Sequence, residues 1–486
     1  MSKQSKEQPP TDTEYPDASA NVRSTTAPQP PGNKPLAQKI SAPYSHSRFG
    51  TLFTRRLPDY SGPHDVGVLD VEFGIPKQRI GSFQHKKLKS DAQAGVEIDS
   101  VLFTLFYPYV AAFPAVHGLK FPAYQRATPL SPPAGQRWPL ILFSHGVGCS
   151  RLMYTHLCGE LASRGYVVAA VEHRDGTGPS ARVTSEDGQG RDVDFLRWTD
   201  LHWPQLPENE QPKDDTMLRH DQLAIRLVEK RATLDVMNRV CQGKLGENTN
   251  RLKASRTVDW EQWRHVVECG DGKVVFAGHS FGGTAAIAAA ADPRFHPISI
   301  ITMDPAIQRI EPWSKPIPCP LLSINSEWFT HDDDYARLLA LTRTVRGPKH
   351  VLGIAGTNHP SFADVFLITP SVAGGQTGLI TSPYEVFLRT FEVVDVFLDT
   401  TSSDEEKERR LRGIGREVRG GEQTDGETRG SVLPRASVVG IMHLVITGHK
   451  AKLIGIPDWT CDLPARDRPT LSVACVSSSS LRYGTD

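Results

Sequence analysis

The chain has 486 residues, 38% of them hydrophobic and 23% charged, which is enough for one large α/β unit with tails. Its 55 basic residues balance its 55 acidic residues, so net charge gives no reason to expect nucleic acid or an anionic membrane as a partner. The seven cysteines are scattered, odd in number and without a CxxC pair. This usage favours reduced thiols in the cytosol over a disulfide framework or a zinc site.

The N-terminal region is polar from its first residue and has no apolar core typical of a signal peptide. No segment approaches the roughly 20 apolar residues that a membrane span needs. We therefore expect a soluble, cytoplasmic protein without a transmembrane segment. Residues 1–46 contain eight prolines and few large apolar side chains, which predicts a disordered leader.

Short apolar runs alternate with helical patterns from residue 47 to residue 400. The predicted strands are 101–107, 140–144, 166–171, 273–277, 298–303 and 321–324, and the predicted helices are 153–164, 218–240 and the alanine run after 281. This alternation predicts an α/β fold with a mostly parallel central sheet, flanked by helices on both faces. Residues 180–217 are polar and predict an insertion loop. Residues 401–486 predict a charged linker, with a solvated helix in 404–429 that turns into the linker, followed by a poorly ordered, irregular tail.

A serine lies between glycines where a predicted strand meets the alanine helix, in GHSFGG at 278–283. A strand that reverses into a helix so quickly brings its backbone close to itself, and glycines on both sides relieve that contact. The turn exposes the hydroxyl of Ser280 just before a helix N-terminus, which is the placement of a nucleophile in GxSxG enzymes. The alternative is a serine that only makes a turn.

A serine nucleophile needs a base, and the base needs an orienting carboxylate, both after the serine in chain order. Asp304 fits the acid because it ends the apolar run ISIITM and Pro305 stops the strand there. A purely structural strand-end cap is the alternative role. The rival acids Asp332, Asp333 and Asp334 have no strand directly before them.

His359 is the predicted base. It lies in GIAGTNHPSFAD, on a loop that follows the apolar stretch 351–354. The rivals are His331, among acids on an exposed loop, and His350, which precedes its strand instead of following it.

Two backbone N–H groups are expected to form the oxyanion hole, the site that stabilises the negative charge on the reacting oxygen. One is that of Phe281, directly after the nucleophile. The other is that of Val147, in the SHGVGCS loop after the strand at 140–144. The alternative for this glycine loop is a simple turn, which is compatible with positioning a donor.

Four segments together resemble one family. They are FSHGVGCSRLMYTHLCGELASRGYVVAAVEHRDGTGPSA (143–181), GHSFGG (278–283), the strand-end Asp304 and NHPSFADV (358–365). They are similar to the platelet-activating factor acetylhydrolases of the plasma and type II intracellular class. EHRD with the HGxG loop before it is more specific than GxSxG alone, and the resemblance covers roughly residues 63–400.

The resemblance implies an α/β-hydrolase fold and calcium-independent hydrolysis of short sn-2 acyl groups, such as acetyl, from phospholipids without a cofactor. By motif position it implies Ser280 as nucleophile, Asp304 as orienting acid, His359 as base, and Val147 and Phe281 as oxyanion donors. It also implies a phospholipid substrate and transient contact with a lipid surface. Two other functions stay open: a different ester hydrolase, dienelactone-hydrolase-like or polyester-cleaving, and a catalytically silent scaffold.

Two further segments and one motif carry expectations from the same resemblance. Residues 107–124 and 366–380 occupy the regions with which family members approach lipid. The first is predicted to be an aromatic wall of the acyl pocket or plain packing. His173, Arg174 and Asp175 are predicted to hold a strand end together without taking part in the chemistry.

Overall fold

A mixed sheet of mostly parallel strands forms the centre of the protein. The computed structural model describes residues 57–87, 93–109, 122–245, 250–252, 258–368, 380–417, 441–447 and 450–454. The predicted leader at 1–46 lies outside these residues. The strands are β1 (Asp65–Ile80), β2 (Gln84–His85), β3 (Val96–Tyr109), β4 (Ala123–Gln125), β5 (Trp138–Ser144), β6 (Val167–Glu172), β7 (Ser180–Thr184), β8 (Gly190–Asp194), β9 (Leu201–His202), β10 (Val267–Glu268), β11 (Val275–His279), β12 (Ser299–Met303), β13 (Leu321–Ser326), β14 (Lys349–Ile354), β15 (Ile441–Thr447) and β16 (Lys450–Ile454).

The helices lie between the central strands in sequence. They are α1 (Thr155–Ser163), α2 (Thr216–Cys241), α3 (Phe281–Ala290), α4 (Asp333–Thr342), α5 (Val365–Ile368), α6 (Pro383–Leu398) and α7 (Asp404–Glu417). Strands β6, β5, β11, β12, β13 and β14 lie side by side in that order and run parallel. Strands β3 and β1 continue the sheet antiparallel beyond β6. This architecture confirms the predicted fold class, an α/β-hydrolase fold with a mostly parallel sheet.

Side chains of each central strand alternate between two apolar clusters because successive residues of a strand point to opposite faces. In β5, Leu140 and Leu142 belong to the cluster that includes residues of α2 and α3, whereas Ile141 and Phe143 belong to the cluster that includes residues of α1 and α6. Both faces of the sheet are therefore covered. A functional site is therefore expected in the loops at the carboxyl ends of the parallel strands, as in other open α/β sheets.

The segment 180–217, predicted to be an insertion loop, is more ordered than expected. Strands β7 and β8 form an antiparallel hairpin, and β9 pairs with β2. The side chain of Trp203 is fully buried beside Phe83, their ring centroids 6.3 Å apart. Polar composition hid this structure because one face of the hairpin is exposed and β9 is only two residues long.

The expectation that all cysteines are reduced thiols is wrong for one pair. A disulfide joins Cys241, the last residue of α2, to Cys269, which directly follows β10. Their separation of 28 residues gives no recognisable motif, so the pairing depends on the fold. Among the described residues, Cys149, Cys158 and Cys319 are buried free thiols.

The region after residue 400 begins with a helix, as predicted, but also contains two strands where the sequence predicts an irregular tail. Residues 404–417 form α7, and β15 and β16 extend the sheet antiparallel beyond β14. Short, isolated pairing segments of this kind carry too weak a sequence pattern to be recognised. In the part of the chain that the structure describes, no helix combines the length and apolar character needed to cross a bilayer. The cytoplasmic location stays a prediction.

Candidate active site

Ser280 occupies the turn between β11 and α3 with a strained backbone. Its φ of 55° and ψ of −127° lie where residues with a side chain are rare. A Cβ on Gly278 would lie 2.3 Å from the carbonyl carbon of Gly282, and one on Gly282 would lie 2.0 Å from the carbonyl oxygen of Ser144. Both glycines are therefore required by close backbone contacts, as the sequence predicted.

Asp304 follows β12 and is 1% exposed, with a left-handed φ of 42°. Its carboxylate accepts hydrogen bonds from the backbone N–H of Ser326 (2.7 Å) and from the hydroxyl of the same residue (2.6 Å). The N–H of Ser280 donates to the carbonyl of Met303, at 2.8 Å. The end of β12 therefore lies directly against the serine turn.

His359 begins a short 3₁₀ turn after β14, and the imidazole is 44% exposed. The side chains of Asn358 and Ser361 cap that turn reciprocally and so fix its start. Nδ1 of His359 lies 3.1 Å from Oδ2 of Asp304. The carboxylate thus holds Nδ1, which leaves Nε2 as the ring nitrogen available for proton transfer.

The glycine loop after β5 lies against the serine. A Cβ on Gly146 would lie 3.0 Å from Cβ of Ser280, so the loop approaches the nucleophile closely only because this residue is glycine. Val147 is half-buried in the same loop, and Phe281, 1% exposed, is the first residue of α3. The loop that carries Val147 therefore approaches Ser280 through Gly146, and Phe281 directly follows Ser280 in sequence.

Sequence reasoning missed two polar groups beneath the site, Tyr154 and His279. The hydroxyl of Tyr154 accepts from the N–H of Gly146 (3.3 Å) and lies 2.7 Å from Nδ1 of His279. The ring centroids of His279 and His359 are 4.5 Å apart. Burial holds the pKa of His279 well below the usual value, so this ring is neutral and does not repel a protonated His359. Its place next to Ser280 in GHSFGG was the available signal.

Ser326 was also missed, although it ends β13 at the same edge as Asp304 ends β12. The rival residues lie elsewhere. Asp332 caps α4 by accepting from the N–H of Asp334, and Asp333 and His331 are exposed.

His350 is buried near Glu408, with Nδ1 3.2 Å from the carboxylate, and so belongs to the packing of α7. His359, in contrast, contacts Asp304 directly.

The EHRD segment at the end of β6 forms a buried polar network. Nδ1 of His173 lies 2.7 Å from Glu229, and Arg174 donates to Glu72 at 2.8 Å. Asp175 pairs with Arg226 at 2.8 Å. All the side chains of this network are at most 4% exposed. The contacts agree with the predicted role of this segment in holding the strand end.

Within the described ranges, one group of three side chains has the ligand types and proximity that a metal ion needs. It comprises His279, Asp304 and His359, whose ligand atoms lie within 4.8 Å of one another. Each of these side chains already makes hydrogen bonds: His279 to Tyr154, and Asp304 to Ser326 and to His359. The arrangement is that of an acid–histidine pair beside a serine.

The two segments expected to approach lipid are only partly described. Residues 110–121 and 369–379 lie outside the described residues. Tyr107 and Tyr109 end β3 and are buried, and the hydroxyl of Tyr107 donates to the carbonyl of Ala127 at 2.8 Å. The described start of the first segment therefore packs into the core.

Comparison with known proteins agrees with the resemblance seen in the motifs. The chain is 26% identical over 342 residues to a Gallus gallus protein named platelet-activating factor acetylhydrolase, covering 66% of this chain and 76% of that protein. It is 32% identical over 243 residues to the Bos taurus protein of the same name, covering 49% of this chain and 51% of the relative. A Schizosaccharomyces pombe protein named putative phospholipase A2 is 25% identical over 268 residues, covering 47% and 57% of the two chains.

The sequence profile of the family described as platelet-activating factor acetylhydrolase, isoform II, matches residues 109–382, more than half of the chain. This match includes the glycine loop, the serine turn, Asp304 and His359, which the fold gathers at one edge of the sheet. The chain therefore belongs to the isoform II family of platelet-activating factor acetylhydrolases.

Proposed function

We propose that this protein is a serine ester hydrolase that removes short sn-2 acyl groups, acetyl above all, from phospholipids related to platelet-activating factor. The observation that carries the proposal is the strained serine turn at Ser280 beside the hydrogen-bonded pair of buried Asp304 and half-exposed His359. Membership of the family and the names of the relatives support the choice of a phospholipid ester.

In the proposed mechanism, Nε2 of His359 takes the proton of the Ser280 hydroxyl as Oγ attacks the ester carbonyl carbon. The N–H groups of Val147 and Phe281 donate to the resulting oxyanion. Collapse of the tetrahedral intermediate breaks the sn-2 ester bond, and His359 passes its proton to the departing lysophospholipid oxygen. Water, deprotonated by the same ring, then hydrolyses the acyl-serine. The proposed cycle uses neither calcium nor a cofactor.

Exposed apolar side chains near the candidate site support a transient contact with lipid surfaces. Leu152 (49% exposed) follows the glycine loop, and Trp328 (62%) lies two residues after Ser326. Ile380 is 71% exposed, and its N–H donates to the carbonyl of Gly356, in the loop between β14 and His359. Segments that follow β5, β13 and β14 thus present apolar groups to solvent at the carboxyl edge of the sheet.

Release of acetate from a 2-acetyl phospholipid, compared with a long-chain sn-2 analogue and a simple aryl ester, tests the proposal. We expect the acetyl phospholipid to be the best substrate and Ser280→Ala to lower turnover by at least about 10³-fold with the unfolding transition retained, because the nucleophile is lost. Full activity of the Ser280→Ala protein would refute the assignment.

The same hydrolysis measurements, together with fluorophosphonate labelling of the serine, separate the alternative functions. Preference for aryl esters over any phospholipid would favour a general carboxylesterase of the dienelactone-hydrolase-like or polyester-cleaving kind. Failure of a fluorophosphonate to label Ser280 in the folded wild-type protein, together with the absence of ester hydrolysis, would favour a catalytically silent scaffold.

A further inference from the structure

Arg226 is a fully buried cation in the middle of α2, and its guanidinium reaches behind the glycine loop. Nη1 donates to the carbonyl of His145 at 2.6 Å, and Nε donates to Oδ2 of Asp175 at 2.8 Å. Nη2 donates to the hydroxyl of Thr177 at 2.7 Å. All three nitrogens are engaged, so the planar fork is fixed in one orientation.

These bonds hold the glycine loop at both of its ends. The carbonyl of His145 precedes Val147 by two residues and is bound directly by Arg226. The N–H of Gly148, the residue after Val147, donates to the carbonyl of Thr177 at 2.8 Å. Thr177 is itself held, because its N–H and hydroxyl donate to Oδ1 of Asp175 at 2.9 and 2.5 Å. One guanidinium therefore fixes the backbone on either side of Val147.

The direction of the Val147 N–H follows from the peptide bond before it. Nδ1 of His145 lies 2.8 Å from the carbonyl of Gly146, and Nε2 of the same ring accepts from the N–H of His173 at 3.0 Å. Burial lowers the pKa of His145, so the ring is neutral and carries its proton on Nδ1, which donates to that carbonyl. In a planar trans peptide the N–H of Val147 then points away from the His145 ring.

The second oxyanion donor residue contacts the same guanidinium. The carbon of the Arg226 fork lies 4.6 Å from the ring centroid of Phe281, with both groups buried. Because Phe281 begins α3, this stacking fixes the first residue of the helix relative to the glycine loop. Arg226 is thus in contact with one donor residue and with the peptide neighbours of the other.

We propose that Arg226 is a positioning residue for the oxyanion hole, holding the backbone N–H groups of Val147 and Phe281 at a fixed separation. This inference rests on the proposed ester hydrolysis. Preorganised donors contribute to rate only when they need no rearrangement as charge develops, so a loosened loop costs transition-state stabilisation and not substrate binding. Lysine would keep one charge beside Asp175 but would lose the fork and the planar stack.

Arg226→Met and Arg226→Lys in the full chain test this role, with Arg164→Met and Arg164→Lys as matched controls. Arg164 is also a mostly buried arginine that pairs with carboxylates, Glu160 and Asp395, and lies 5.2 Å from an aromatic centroid, that of Phe391. It follows the C-terminus of α1, away from the glycine loop. Each variant is measured for its unfolding transition, for the fraction of Ser280 labelled by a fluorophosphonate at saturation, and for kcat and KM.

For Arg226→Met we expect kcat to fall by about 10²–10³-fold, with KM changed by less than about threefold. For Arg226→Lys we expect a fall in kcat that is roughly tenfold smaller than that of Arg226→Met, because lysine retains a charge beside Asp175. The Arg164 variants are expected to lower the unfolding temperature while changing kcat per labelled serine by less than about twofold. Equal losses of kcat in the two series, or an Arg226→Met protein with normal kcat, would overturn the inference.

If Arg226→Met does not fold, Arg226→Lys and Thr177→Val decide the question. Valine removes the hydroxyl that joins Arg226 to the loop but keeps the arginine and its carboxylate partner. A loss of kcat of about tenfold at normal KM supports the role, and an unchanged kcat in both variants contradicts it. Failure of the proposed function would look different: the wild-type protein itself would hydrolyse no ester and take up no label.

Discussion

Two aspartates, Asp304 and Asp364, are similarly buried and hydrogen-bonded, but their hydrogen-bond donors differ in kind. Both are at most 2% exposed, and each carboxylate accepts two or more hydrogen bonds from neighbouring donors. Asp364 accepts from the backbone N–H groups of Thr155 (2.7 Å) and His156 (3.1 Å), in the first turn of α1. Asp304 accepts instead from Ser326 and from the half-exposed ring of His359.

Burial and hydrogen bonding alone therefore do not distinguish a functional carboxylate from a structural one. Burial raises the pKa of Asp364 to about 8, although the N–H groups of Thr155 and His156 act in the opposite direction. That residue ties α1 to the segment after His359. What distinguishes Asp304 is a partner that exchanges protons and has access to solvent, since only such a partner transmits the effect of the carboxylate to a substrate.

Asp304→Asn is expected to have the largest effect, a loss of kcat that no substitution of Asp364 should produce. Asparagine keeps the shape and can accept from Ser326, but its amide no longer favours the tautomer with the proton on Nδ1 of His359. We expect kcat to fall by about 10⁴-fold, as in other serine–histidine–aspartate sites, with little change in the unfolding temperature. Steady-state kinetics with thermal unfolding checks this outcome; a decrease of less than tenfold in a folded protein would contradict the assigned role.

Asp364→Ala is expected to have the opposite profile. Removing the carboxylate leaves two N–H groups of α1 without this acceptor, which costs about 1–3 kcal/mol in the free energy of unfolding. The kcat per fluorophosphonate-labelled serine should stay within about twofold of the wild-type value. Chemical denaturation with active-site titration measures both quantities. A folded variant whose kcat falls by more than about tenfold would contradict a purely structural role of Asp364.

The smallest expected effect concerns pH. Because the pKa of Asp364 is raised to about 8, the folded protein binds more protons at this group than the unfolded chain does between about pH 4 and pH 8. The contribution to stability is therefore fully present at low pH and is lost as the pH rises through that range. Asp364→Asn cannot ionise, so wild type should lose roughly 1 kcal/mol more than this variant between about pH 5 and about pH 6.

Urea unfolding of the two proteins at several pH values tests this slope. A wild-type stability that rises relative to Asp364→Asn across the same interval would show that the carboxylate is charged in the folded state. Protonation of groups that are distant from Asp364 affects both proteins equally and cancels in the difference.

Sequence patterns located most of the central sheet because the parallel strands are short apolar runs ended by polar or glycine residues. The predicted strand at 140–144 and helix at 218–240 correspond to β5 and α2 with shifts of one or two residues at their ends. The prediction that Ser280, Asp304 and His359 lie at one edge followed from the same reasoning, since Ser280 and Asp304 directly follow strands and His359 lies on the loop after β14.

Residues that act across elements left no comparable signal. Arg226 lies in a long helix among other charged residues, and only the fold shows that it is fully buried behind the glycine loop. Tyr154 and Ser326 likewise gain their roles from groups far away in sequence, His279 and Asp304. The pairing of cysteines 241 and 269 belongs to the same class, because no local pattern records which helix end meets which strand.

The positive φ angles at Ser280 and Asp304 lower the stability of the fold in order to keep two reactive side chains at these turns. Conformations of this kind cost about 1–3 kcal/mol each in residues with a side chain, and glycine would adopt them with less strain. A sequence selected for thermal endurance alone would therefore favour glycine at both turns, and would thereby delete the hydroxyl and the carboxylate. In this fold, two of the three side chains that the proposed reaction requires stand where the main chain tolerates a side chain poorly.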